Sequence, residues 1–143
     1  MFEYARTAAA DAGLAAERLT LVEGLVERMP FGNGSFDFVV CTLTLCSVRS
    51  PAAALAEVQR VLRPGGKLLF VEHVRAFRPG LTRVSQTVLD PLQQLLADNC
   101  HLTRDTGRLI EEAGFASVDV QQFEVDGASL IAPHVSGVAV VAA

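Results

Sequence analysis

The sequence predicts an open α/β sheet with an antiparallel finish. Three observations lead there. Apolar, strand-like runs alternate with segments of helical periodicity through most of the chain. Serine, proline and glycine punctuate the helices where a start or stop needs them. The last two strand-like runs are separated only by Gly127-Ala128-Ser129-Leu130-Ile131-Ala132-Pro133-His134, so they are expected to pair as antiparallel neighbours.

The elements follow in order. Phe2 to Ala12 is alanine-rich and reads as a helix that Gly13 ends. Leu19 to Val22 reads as a short strand. Phe36 to Thr42 is rich in β-branched and aromatic residues and apolar almost throughout, as a strand covered on both faces must be. Ser50-Pro51 opens a helix, with serine as N-cap and proline in the first turn. Leu55, Val58, Val61 and Leu62 give it one apolar face, and Pro64-Gly65-Gly66 breaks it. Lys67 to Val74 is a second buried strand. Val84 to Ala97 is a helix with Pro91 as a kink, apolar along Val84, Val88, Leu92, Leu95 and Leu96. Thr103 is expected to cap a short helix holding Leu109, Ile110 and Ala113, closed by Gly114. Val118 to Val125 and Val135 to Ala142 are the closing strands.

Composition narrows the function. Of 143 residues, 50% are hydrophobic and 20% charged, which suits one folded domain. The net charge is −4 and the 12 Lys and Arg are scattered, so no basic stripe exists to grip nucleic acid. Cys41, Cys46 and Cys100 are odd in number and lack CxxC spacing, which argues against a disulfide framework or structural zinc; no metal is expected. No apolar run is long enough to span a bilayer, and the start lacks a secretory signal, so a soluble, cytoplasmic chain is expected.

In an open α/β sheet, ligands sit beyond the carboxyl ends of the strands. Here those ends are Cys41-Thr42-Leu43 and Glu72-His73-Val74.

Pro30 to Val40, followed by Val61-Leu62-Arg63-Pro64-Gly65-Gly66-Lys67-Leu68, resembles the fourth- and fifth-strand signature of class I S-adenosylmethionine-dependent methyltransferases. Five ordered segments resemble one subgroup, the alkyl-thiol S-methyltransferases. They are Val39 to Val48, Glu72-His73-Val74, Gln86 to Pro91, Cys100 to Arg104 and Ala132 to Gly137. The resemblance implies a Rossmann-like sheet of strand order 3-2-1-4-5-7-6. Residues 1–143 would be a partial domain, from the third strand to the seventh. The first two strands, the glycine-rich turn, the acidic group for the ribose and a membrane-associated amino-terminal segment would precede Met1. A sheet lacking those strands is expected to expose ladder edges, to aggregate and to hold S-adenosylmethionine weakly.

The resemblance also assigns sites. Glu27 stands where family members contact adenine, although an exposed turn glutamate is the alternative. Cys41, Thr42 and Leu43 should border the methionine part of the cofactor. Leu45, Cys46, Leu92, Ile131 and His134 are candidate walls of an acceptor pocket; free cysteines are otherwise small buried hydrophobes. Glu72 and His73 are the candidate bases for a thiol acceptor, since thiolate is the nucleophile and imidazole titrates near neutrality. A structural histidine is the alternative for His73. The implied function is methyl transfer from S-adenosylmethionine to a small-molecule acceptor, an alkyl thiol. The alternatives are a quinone or lipid-like acceptor, or an inactive paralogue serving as a binding or assembly partner.

Overall fold

A computed structural model describes residues 2–143. Four strands form one sheet. They are β1 (Phe36–Thr42), β2 (Leu62–His73), β3 (Ser117–Glu124) and β4 (Pro133–Val140), in the spatial order β1-β2-β4-β3. β1 and β2 are parallel; β4 runs antiparallel to both β2 and β3. The expected antiparallel finish is present.

The helices are α1 (Phe2–Asp11), α2 (Pro51–Val61), α3 (Leu81–Leu96) and α4 (Thr106–Glu111). α2 begins as the sequence requires: the Ser50 hydroxyl accepts from the Ala53 N–H at 3.3 Å, and Pro51 fills the first turn, where a missing N–H costs nothing. α2 and α4 pack on one face of the sheet. Leu55, Val58, Leu68, Phe70, Ile110, Val135 and Ala139 form the core between them. β4 crosses this layer closely. A Cβ on Gly137 would strike the Asp119 carbonyl and the Phe70 ring, so only glycine fits there.

Several expected elements differ. Leu19–Val22 is not a strand, because among the described residues no strand lies beside it to share a ladder. β2 starts at Leu62 rather than Lys67; Phe36 pairs with Leu62 across an irregularity that accommodates the Arg63–Gly66 turn. Asp105, not Thr103, caps α4, its carboxylate accepting from the Arg108 N–H.

β1 was expected to be covered on both faces, and it is not. Phe38 is 57% exposed and Val40 70% exposed, on an edge strand whose outer face carries no helix among the described residues. α3 is equally bare. Leu81, Val88, Leu95 and Leu96 point to solvent, so its apolar stripe is unpartnered. A polar anchor holds it instead: buried Gln86 accepts from the Ala76 N–H at 2.7 Å and donates to the Leu130 carbonyl at 2.8 Å. Among the described residues, no helix is long and apolar enough to cross a membrane.

Candidate functional site

The carboxyl ends of β1 and β2 open onto a cleft of about 1460 Å³. Its walls are the Gly24–Glu27 segment, the loop after β1, the end of α3 with residues 97–100, and Ile131 with His134. Three non-glycine residues on this wall have left-handed backbones: Leu43 (φ 50°), Asp98 (φ 45°) and Asn99 (φ 62°). Such conformations cost energy and persist where surrounding contacts enforce them. One enforcing contact is the Asn99 side-chain amide, which donates to the Ser47 carbonyl at 2.8 Å.

Glu72 is fully buried, and its carboxylate organises the loop after β1. Oε1 accepts from the Thr44 N–H at 2.8 Å, the Leu45 N–H at 3.0 Å and the Cys41 thiol at 3.4 Å; Oε2 accepts from the Cys46 N–H at 3.1 Å. A carboxylate committed to four donors and sealed from the cleft is no base for an acceptor, which corrects its expected catalytic role. Burial first, then the Glu72 charge, pushes the Cys41 thiol up to about 12. Cys41 is therefore a protonated part of this knot and not a wall of the cleft. Leu45, 1% exposed, lies in the core beneath.

Side chains alternate across a strand, so His73 faces the other way from Glu72. It lines the cleft, with Nε2 at 2.8 Å from the Cys100 sulfur. Nδ1 is buried and has no hydrogen-bond partner among the described residues. Burial lowers its pKa, with His134 and Arg104 adding to the effect and Asp90 opposing it, so the ring is neutral near pH 7. Cys46 joins the corner, its sulfur 4.0 Å from that of Cys100. Arg104 pins the corner by donating to the carbonyls of Leu45 at 2.7 Å and Val48 at 2.9 Å. His134 pairs with His73 across β4 and β2, its Nδ1 3.0 Å from the Ala132 carbonyl.

Glu27 stands at the opposite end. Its Oε1 accepts from the N–H groups of Arg49 (3.0 Å) and Ser50 (3.3 Å), clasping the segment to the start of α2. Its own backbone N–H, followed by those of Ser50 and Arg49, holds its pKa below the usual carboxylate value.

The cleft thus gathers Glu27, Leu43, Cys46, His73, Ile131 and His134 from the expected set. It leaves out Glu72, Cys41, Thr42, Leu45 and Leu92. Thr42 faces a shallow groove on the open sheet face with Val40 and Val71, because alternation turns it away from Cys41. Leu92 is 51% exposed on the outer side of α3. Sequence reasoning missed Cys100, Asn99 and Arg104 as site residues. The segment Cys100 to Arg104 was the available signal, but nothing local places it over the end of β2.

At the Gly24–Glu27 end of the cleft, Leu25 is 69% exposed and Val26 lies beside it. Half-exposed Leu43 lines the same cleft.

A methyltransferase-domain family model matches residues 1–70. The chain is 45% identical over 109 residues to the human thiol S-methyltransferase TMT1A, covering 76% of this chain and 45% of that protein. It is 41% identical over 125 residues to human thiol S-methyltransferase TMT1B, covering 87% and 51%. It therefore spans about half the length of these curated relatives. A Thermotoga maritima S-adenosylmethionine-dependent methyltransferase, described as a possible histamine N-methyltransferase, superposes with a TM-score of 0.63 at 22% identity, covering 90% of this chain and 68% of that one; at that identity it speaks for the fold alone. The family model places part of a methyltransferase domain in residues 1–70, the relatives agree with it over most of the chain, and the sheet has the class I S-adenosylmethionine-dependent methyltransferase fold.

Proposed function

We propose that the cleft is the reaction site of a methyltransferase acting on a small apolar thiol. The cofactor supplies an electrophilic methyl group on a sulfonium. Leu25, Val26 and Glu27 hold its adenosine, and Leu43 flanks its methionine end. The acceptor enters at the Cys46–His73–Cys100 corner, with Ile131 and His134 as walls. Alignment of the acceptor with the methyl group is the main catalytic task, since the donor is already activated.

The observation that carries this reading is the position of that corner. It lies beyond the carboxyl end of β2, in the same cleft as Glu27, and the relatives named for thiol methylation cover most of the chain. The test supplies millimolar methyl-labelled S-adenosylmethionine together with an alkyl thiol and a quinol in competition. Labelled thioether, formed in more equivalents than protein present, is expected. Labelled quinol ether or ring-methylated quinol without thioether would overturn the acceptor class.

A further inference from the structure

We propose that Cys46, His73 and Cys100 bind a thiophilic divalent cation of the zinc type, with a fourth position open to the acceptor's sulfur. The second half of this proposal rests on the thiol-acceptor reading above.

The three residues come from distant parts of the chain: the loop after β1, the end of β2 and the loop after α3. All are buried, and one ligand atom from each lies within 4.8 Å of the others. Two sulfurs and one imidazole nitrogen form the donor set that zinc prefers over magnesium or calcium. The geometry is close to what such an ion needs. Tetrahedral bonds of about 2.3 Å to sulfur and 2.0 Å to nitrogen separate sulfurs by about 3.8 Å, and sulfur from nitrogen by about 3.6 Å. The sulfurs stand 4.0 Å apart, and His73 Nε2 is 2.8 Å from Cys100. The Cys46 sulfur lies within 4.8 Å of the His73 ligand nitrogen, so closing the site requires shifts on the order of an ångström.

Charge also balances. Both thiols release their protons to water on binding, as metal thiolate sites require. Two thiolates then neutralise the dication beside the Arg104 guanidinium and the Glu72 carboxylate. All three ligands line the cleft, so the fourth position faces it. An alkyl thiol taking that position binds as thiolate, its proton passing to water. This does the work of a general base, which Glu72, sealed from the cleft, is not placed to do, and it makes His73 a ligand.

Cobalt(II) titration of the reduced protein tests the site. One equivalent per chain is expected, with thiolate-to-cobalt absorption in the near ultraviolet, and zinc should displace it. Cys46→Ser, Cys100→Ser and His73→Ala should each weaken binding at least about tenfold, while Cys41→Ser should not. X-ray absorption on the unmutated zinc form needs no variant to fold; it should give two sulfurs and one nitrogen, and a third sulfur after an alkyl thiol is added. Absence of the charge-transfer band, or its survival in the Cys46→Ser/Cys100→Ser double variant, overturns the site. A sulfur count that stays at two overturns the open position. Thiol methylation by a metal-free protein would overturn the role of the fourth position and leave the proposed function standing. Metal binding without any methyl transfer would overturn the proposed function and leave the three-ligand site standing.

Discussion

The Glu72 carboxylate accepts the Cys46 backbone N–H at 3.1 Å, which ties the end of β2 to the loop that presents a cleft thiol. Two further amides and the Cys41 thiol converge on the same group. Removing it leaves buried N–H donors unpaired, at about 1–3 kcal/mol for each. Glu72→Ala is expected to lower unfolding free energy by at least about 2 kcal/mol. Glu72→Gln is expected to be costly too, because its amide NH₂ would face N–H donors. Urea unfolding measures both; a loss within about 0.5 kcal/mol, as at an ordinary surface site, would contradict this role.

Acid should weaken the fold through Glu57. Its pairing with Arg60, followed by the Met29 N–H, lowers its pKa from 4.5 to about 2. A carboxylate with a depressed folded pKa stabilises the fold above its unfolded value and loses that contribution as pH falls. The expected loss therefore runs from pH 4.5 down to about 2. Denaturation midpoints across that range should fall less steeply for Glu57→Gln than for the unmodified chain. Parallel slopes would remove Glu57 from the account of acid sensitivity.

The bare edge and outer face of β1 should drive self-association, since unpaired strand edges template pairing. Val40, 70% exposed on this strand, is the residue to change. Light scattering after size exclusion should show oligomers or aggregates for the unmodified chain, and a shift towards monomer for Val40→Lys. A clean monomer before substitution would contradict the expectation.

Local signals carried much of the fold. Ser50-Pro51 marks the start of α2 because capping and a fixed proline φ act within one turn. The antiparallel pairing of the closing strands was legible from their short connection. Leu19–Val22 was misread because a strand exists only beside a partner, and propensity does not reveal one. The site was less legible. Glu72 and His73 adjoin in sequence, yet the two-residue period of β2 sends one into the helical layer and the other to the cleft. Cys46 and Cys100 meet across 54 positions, so no spacing rule finds them.

Cofactor binding by the cleft is the central claim, and titration with S-adenosylhomocysteine followed by amide NMR tests it most directly, because weak binding remains visible. Saturable shifts are expected at Gly24–Glu27 and from Leu43 to Ser50, with a dissociation constant weaker than low micromolar. Low-micromolar affinity would contradict the expected weakness alone. Saturable shifts confined to the open sheet face around Val40, Thr42 and Val71, or none at any concentration, would contradict the site.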